Sequence, residues 1–265
     1  VMKKYFVIGN PIDHSLSPKL HNYWLKENNI DAIYDKKKIE EKNIQTIISD
    51  IKEKKINGIN VTVPFKKAVI PYLDKLSPEA EQTQSVNTII LSNDNLVGHN
   101  TDIFGFDKAI KKLNFNMQGK KILILGAGGV VPSIIFALNK MNVSKIFISN
   151  RTKEKAEDLK SQFYNLEVLD WGDINDFDVI INATSLGLNK ESINLDFSKL
   201  VNNKLFYDVI YNPKETNFLK EGKKLGNRTE NGKLMFVYQA FEAFKLWHGI
   251  EPQINNDTLE ILNND

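Results

Sequence analysis

Cysteine is missing altogether from this 265-residue chain. Disulfide staples, thiolate metal sites and cysteine nucleophiles go with it. A chain of this length manages without staples because it can bury a large core. An excess of one charge is missing too: 35 Lys and Arg stand against 33 Asp and Glu. Binding of nucleic acid through bulk charge is therefore not favoured. No apolar run of about 18 residues occurs, so no transmembrane helix is expected. The first ten residues lack the charged-then-apolar layout of a secretory leader, and the cytoplasm is the expected compartment. The four histidines, His14, His21, His99 and His248, show no close ligand spacing, so no metal site is expected. What is present is ordinary globular composition, 42% hydrophobic and 26% charged. The length suggests about two domains.

Short apolar runs alternate with amphipathic stretches along the chain. Strands are expected at Tyr5–Ile8, Ala32–Lys36, Gly58–Val63, Thr88–Leu91 and Leu96–His99, the last two joined as a hairpin by Ser92-Asn93-Asp94-Asn95. Helices are expected at Pro18–Lys26, Ile39–Lys54, Lys66–Tyr72 and Pro78–Thr83; Ser17 and Ser77 stand as caps before Pro18 and Pro78. From about Phe104 the pattern turns regular. Apolar strands at Lys121–Leu125, Lys145–Ser149, Glu167–Leu169, Val179–Asn182 and Phe206–Val209 flank helices such as Pro132–Met141 and Lys153–Phe163. That alternation reads as a parallel α/β sheet. A long apolar helix, Lys233–His248, follows.

The strand Lys121–Leu125 runs into Gly126-Ala127-Gly128-Gly129 and then a helix. In that order the first glycine permits a tight turn and the second lets backbone approach a pyrophosphate. The helix N-terminus then offers free N–H groups and partial positive charge. The next strand ends in Asn150-Arg151-Thr152, with Lys155 four residues beyond Arg151. An NAD enzyme usually carries an acidic residue there for the ribose hydroxyls. A guanidinium, a hydroxyl and an amide suit a 2′-phosphate instead, which favours NADP over NAD.

The first half carries Gly9-Asn10-Pro11-Ile12-Asp13-His14-Ser15-Leu16-Ser17-Pro18, then Asn60-Val61-Thr62-Val63-Pro64-Phe65-Lys66, Ser85-Val86-Asn87-Thr88 and Gly98-His99-Asn100-Thr101-Asp102. Asn60 and Thr62 share one face of a strand by alternation. Together with the glycine turn, Asn150-Arg151-Thr152, Asn182-Ala183-Thr184-Ser185-Leu186-Gly187, Tyr207–Pro213 and the Met235–Phe244 helix, these pieces resemble the shikimate dehydrogenase family over essentially the whole chain. The resemblance implies a two-domain α/β fold: a substrate domain of residues 1–101 and 236–265, and an NADP-binding Rossmann domain with a parallel sheet, residues 102–235. It implies reversible reduction of 3-dehydroshikimate by NADPH on the route to chorismate and the aromatic amino acids. The expected partners are that small molecule and the cofactor, in a monomer or homodimer.

Carried over by residue, the resemblance assigns Lys66 and Asp102 as the catalytic pair, both also touching substrate. Ser15 and Ser17 match the serines that bind the substrate carboxylate, and Asn60, Thr62, Asn87, Tyr211 and Gln239 match further substrate contacts. Gly126, Gly128 and Gly129 match the pyrophosphate turn, with Ala127 between them; Asn150, Arg151 and Thr152 match the phosphate site, with Lys155 expected beside Arg151 on the same helical face. Thr184 to Leu188, Ser185 among them, with Val209 and Tyr211, match the surroundings of the nicotinamide and substrate, and Gly232 is a further expected cofactor contact. Four residues depart from the pattern: Val131 and Pro132 replace small residues, Leu188 stands where Met is frequent, and Leu234 where Gly is common. Two alternatives remain, a quinate/shikimate dehydrogenase using NAD and a catalytically silent NADP-binding regulator. Arg151 counts against the first, and retention of Lys66 and Asp102 against the second. The chemistry agrees with the residues. Hydride addition to a carbonyl leaves charge on oxygen, which an ammonium can neutralise by giving a proton, and a nearby carboxylate would orient that ammonium.

Overall fold

The computed structural model describes residues 1–263. They form two compact units. One is Val1–Gly105 with the chain from Val237 onward; the other is Phe106–Phe236.

The first unit is built on a six-stranded sheet. In chain order its elements are β1 (Lys3–Gly9), α1 (Ser17–Glu27), β2 (Ala32–Lys38), α2 (Ile44–Lys52), β3 (Gly58–Val61), β4 (Lys75–Leu76), α3 (Pro78–Thr83), β5 (Thr88–Ser92) and β6 (Asn95–His99). The strand order is β2-β1-β3-β5-β6-β4. Strands β2, β1 and β3 are parallel, while β3–β5 and β5–β6 are antiparallel. The β5–β6 hairpin closes with Ser92 paired to Asn95. Asn93 and Asp94 between them take φ of 48° and 60°, the left-handed pair that matches strand twist in two-residue hairpins. Helix α2 buries Ile44, Ile47, Ile48 and Ile51 against β1 and β3 residues such as Ile8 and Ile59.

Local chemistry moves several boundaries. Residues 66–72 do not form the expected helix; only the turn Ile70–Tyr72 is helical, as a 3₁₀ segment. Pro71 sits within that stretch and supplies no N–H. The expected Ile39–Lys54 helix begins as a 3₁₀ turn at Glu41–Asn43, and α2 proper starts at Ile44. Strand β3 stops at Val61, where Phe65 N–H turns back to the Thr62 carbonyl at 3.0 Å. Ser77 caps α3 as expected, accepting from Ala80 N–H at 3.2 Å. Ser17 does not cap α1: it is the first helical residue, Leu16 holds the cap position, and no side chain caps that end.

Helix α4 (Asp102–Lys112), which the sequence reading did not place, carries the chain into the second unit. There follow β7 (Lys121–Leu125), α5 (Val131–Lys140), β8 (Lys145–Ser149), α6 (Lys153–Gln162), β9 (Leu166–Leu169), β10 (Val179–Asn182), β11 (Leu205–Asp208), α7 (Asn217–Lys224) and β12 (Arg228–Glu230). The order β12-β11-β10-β7-β8-β9 is parallel throughout. Ile122 to Leu125 and Val179 to Ile181 are fully buried, as strands covered on both faces must be. Val209 lies just past β11, its N–H donating to the Asn182 carbonyl at 3.0 Å. Helix α8 (Lys233–His248) returns the chain to the first unit, and α9 (Asn256–Glu260) follows. Trp247 on α8 donates its indole N–H to the Ile89 carbonyl at 3.2 Å.

Both divisions fall inside helices, α4 and α8, four residues beyond the expected 101/102 and one beyond the expected 235/236. Side chains explain this for α4. Phe104 stacks on Phe241 at 6.1 Å, whereas Phe106 packs edge-on against Tyr207 of β11 at 5.5 Å.

Candidate active site

The polar residues of the first unit gather at the ends of β1, β3 and β5. Lys66 follows the turn after β3, and its carbonyl accepts the Val86 N–H at 2.8 Å. Asp102 opens α4. The two side chains meet at 2.6 Å, Nζ to Oδ2, with only 12% and 9% of each exposed. Asn87 adds a second grip: its Nδ2 donates to Asp102 Oδ1 at 3.3 Å and to Thr101 Oγ1 at 2.8 Å. Asn87 Oδ1 accepts from the Thr101 N–H at 2.7 Å.

Asn60 continues the network. Its Nδ2 donates to the Asn87 carbonyl at 3.1 Å and to Thr88 Oγ1 at 3.0 Å, and its Oδ1 accepts the Tyr34 hydroxyl at 2.7 Å. Both amide hydrogens are thus taken, leaving Asn60 one acceptor lone pair. Tyr34 was not legible as a site residue, yet it is the only buried position on β2. Burial raises its phenol well above the usual range, and its hydroxyl also meets Ser17. The Ser17 N–H in turn approaches Ser15 Oγ at 3.3 Å. Beneath this, His21 stacks flat on the Tyr34 ring, 4.2 Å away at 3°. Burial pushes the His21 pKa down to about 3, with neighbouring His248 adding to it. Thr62 is half-buried beside this cluster, its N–H donating to the Ile8 carbonyl at 2.9 Å, and Gln239 is half-buried on α8.

In the second unit Gly126 follows β7 with φ of 111°, and a Cβ there would lie 2.9 Å from the Ala183 carbonyl. Only glycine fits that turn. A Cβ at Gly128 would meet no protein atom within 4 Å. The backbone there borders open space at the start of α5, whose first N–H groups have no helical acceptor. That combination fits a pyrophosphate. Ala127 and Gly129 complete the turn, and the Val131 N–H donates to the Gly128 carbonyl at 3.1 Å. Val131 and Pro132 are buried in the first turn of α5, so neither departure from the family pattern projects into that space.

Arg151, Thr152 and Lys155 are exposed where β8 meets α6. The Arg151 guanidinium lies 5.7 Å over the Trp171 ring. Asn150 Nδ2 fixes the bend by donating to the Thr152 carbonyl at 2.8 Å. Thr184 is half-buried; Ser185 and Leu188 are exposed in the loop after β10. Gly232 packs on the Val209 backbone so tightly that a Cβ would fall 2.0 Å from its carbonyl oxygen. Tyr211 also lies in this unit, stacked on Phe236 at 4.6 Å.

An all-parallel sheet with a glycine turn opening a helix, joined to a second α/β unit that carries a sequestered lysine–carboxylate pair, defines a two-domain nicotinamide-nucleotide oxidoreductase. Residues 7–89 match the profile of the shikimate dehydrogenase substrate binding domain, residues 107–209 that of shikimate / quinate 5-dehydrogenase, and residues 234–255 that of the shikimate 5′-dehydrogenase C-terminal domain. The chain is 55% identical over 263 residues to the NADP(+) shikimate dehydrogenase of Pelagibacter ubique, covering 98% of this chain and 99% of that one. It superposes on the crystal structure of shikimate dehydrogenase from Aquifex aeolicus with a TM-score of 0.90, at 37% identity, covering 100% of this chain and 98% of that one. The Thermus thermophilus enzyme in complex with NADP(H) and shikimate gives a TM-score of 0.90 at 30% identity, with 99% of both chains covered. This chain belongs to the shikimate dehydrogenase family.

Proposed function

We propose that this protein is an NADP-dependent shikimate dehydrogenase, reducing 3-dehydroshikimate reversibly to shikimate on the route to chorismate. The observation that carries the reading is the sequestered Lys66–Asp102 pair at 2.6 Å. NADPH, when bound, supplies the hydride.

Gly126, Ala127, Gly128 and Gly129 hold its pyrophosphate, and Asn150, Arg151, Thr152 and Lys155 hold its 2′-phosphate. Thr184, Ser185, Leu188, Val209 and Gly232 border the nicotinamide. The hydroxyls of Ser15 and Ser17 donate to the substrate carboxylate. Thr62, Asn87, Tyr211 and Gln239 contact substrate, and Asn60 contributes its one open acceptor.

Lys66 gives a proton from Nζ to the carbonyl oxygen as charge develops there, and its positive charge stabilises that oxygen beforehand. Asp102 aims the ammonium through its 2.6 Å contact to Nζ. In the reverse direction neutral Lys66 accepts the hydroxyl proton, with Asp102 holding the amine in place. A site lined by hydroxyls and amides rejects analogues that leave those groups unpaired. The compartment proposed is the cytoplasm and the assembly a monomer or homodimer.

The test is an absorbance assay at the nicotinamide band, with shikimate and quinate each offered NADP⁺ and NAD⁺. Shikimate with NADP⁺ should turn over fastest. Equal or better turnover with quinate and NAD⁺ would overturn the assignment.

A further inference from the structure

Asp208 is buried at the C-terminal end of β11 and takes no part in the chemistry above. Its carboxylate accepts three hydrogen bonds from three parts of the chain. Oδ1 accepts from Asn182 Nδ2 at 3.1 Å and from the Ile210 N–H at 3.0 Å; Oδ2 accepts from the Thr216 hydroxyl at 2.6 Å. All three donors are neutral.

Asn182 passes this grip onward. Its Nδ2 donates also to the Leu186 carbonyl at 3.2 Å, and its Oδ1 accepts both the N–H and the hydroxyl of Thr184, at 3.1 and 2.6 Å. Thr184 Oγ1 then accepts the Leu186 N–H at 3.1 Å. An amide can be turned either way round; here the carboxylate demands a donor, so the NH₂ faces Asp208 and the carbonyl faces Thr184. The choice made at Asp208 therefore sets the 184–186 turn.

The loop is held on both sides. The Ala183 backbone lies against Gly126, where a Cβ would sit 2.9 Å away; Gly187 lies against Thr216, where a Cβ would sit 3.2 Å from Cγ2. Burial pushes the Asp208 carboxyl up to about 6, so at neutral pH the fold keeps a charge there against desolvation. A buried charge kept in this way is a feature of functional regions.

We infer that Asp208 is a positioning residue for the cofactor. Through Asn182 and Thr216 it fixes the 183–188 loop against the glycine turn, so the surface offered to the nicotinamide is set before the nucleotide arrives. The inference rests on the preceding reading of Thr184 to Leu188 as nicotinamide surroundings.

The experiment is calorimetric binding of NADP⁺, with steady-state kinetics alongside, on wild type, D208N, T216V and T216S. D208N turns an amide NH₂ toward existing donors and loses charge-assisted bonds. Its Kd for NADP⁺ should rise about 10- to 100-fold, while the KM for shikimate stays within about twofold. T216V should weaken NADP⁺ by about three- to tenfold. T216S should restore it, because a serine hydroxyl reaches the same oxygen and still caps α7. NADP⁺ affinity within about twofold of wild type in both D208N and T216V overturns the inference. So does a parallel rise in the shikimate KM, which marks general loosening. If D208N does not fold, the T216V and T216S pair decides alone by the same limits. Wild-type protein that binds NADP⁺ without oxidising shikimate would refute the dehydrogenase reading, and the binding series would still decide this one.

Discussion

Lys66 and Asp102, 36 residues apart in sequence, share a 2.6 Å ion pair from which water is nearly shut out. Neither side chain is free to wander. The Lys66 backbone is tied to Val86, and the other Asp102 oxygen is held by Asn87. The donor is therefore aimed by three separate segments: the turn after β3, the approach to β5 and the first turn of α4.

Lys66→Ala should lower kcat by about 10²–10⁴-fold, the usual range for losing a general acid–base group. The KM for shikimate should move far less. Steady-state kinetics with NADP⁺ checks this, and near-normal turnover would remove Lys66 from the chemistry.

Arg151→Ala should raise the KM for NADP⁺ by roughly 10- to 150-fold, from the loss of charge-assisted bonds worth about 1.5–3 kcal/mol. NAD⁺ use and the shikimate KM should barely change. Lys155→Ala should act in the same direction more weakly, its ammonium being a flexible point charge. Equal damage to both cofactors would mean that Arg151, stacked on Trp171, supports the adenine or the fold instead.

Two neighbouring glycines should respond differently. Gly126→Ala forces a side chain onto φ of 111° and into the Ala183 carbonyl, so its Tm should fall. Gly128→Ala adds a methyl where no protein atom lies within 4 Å. Its Tm should match wild type while NADP⁺ binding weakens. Thermal melts with calorimetry separate the two, and unchanged binding in Gly128→Ala would move the pyrophosphate elsewhere.

Acid should unfold the protein partly through His21. Its imidazole stays neutral in the fold, with the pKa pushed from 6.5 to about 3 and both ring nitrogens unpartnered. Between pH 6.5 and 3 the unfolded chain binds the extra proton, so stability falls as pH drops through that window. His21→Phe keeps the stacking partner and removes the proton site. Tm measured from pH 7 down to pH 4 should decline less steeply in the variant. An identical slope would place the acid sensitivity on other groups, such as His248, whose pKa is pushed down to about 4.

The glycine turn, the parallel strands and the Arg151 cluster were readable because each follows from local pattern: an apolar run, a spacing, a charge at a strand end. The Asn93-Asp94 turn was readable for the same reason. Helix α4 was not, since Phe104 and Phe106 pack into different units and leave no single apolar stripe. Tyr34 and Asp208 were also hidden. Each does its work by hydrogen bonds to residues 26 to 8 positions away, and no periodicity announces a side chain that orients another. Ser17 looked like a helix cap from the Ser-Pro pair, but the helix starts one residue earlier than that pattern implies.

The discontinuity of the first unit sets an order on biosynthesis. Residues 106–236 are all joined before Val237 is added, so the nucleotide-binding unit has its full sequence while the other still lacks α8. Until Trp247 emerges, the indole contact to Ile89 and the packing over Gly58 do not exist. Domains fold as units as the chain is made. A nascent chain stopped at Phe236 therefore holds every residue of the cofactor unit and an unfinished partner, and the substrate half, begun first, is completed last.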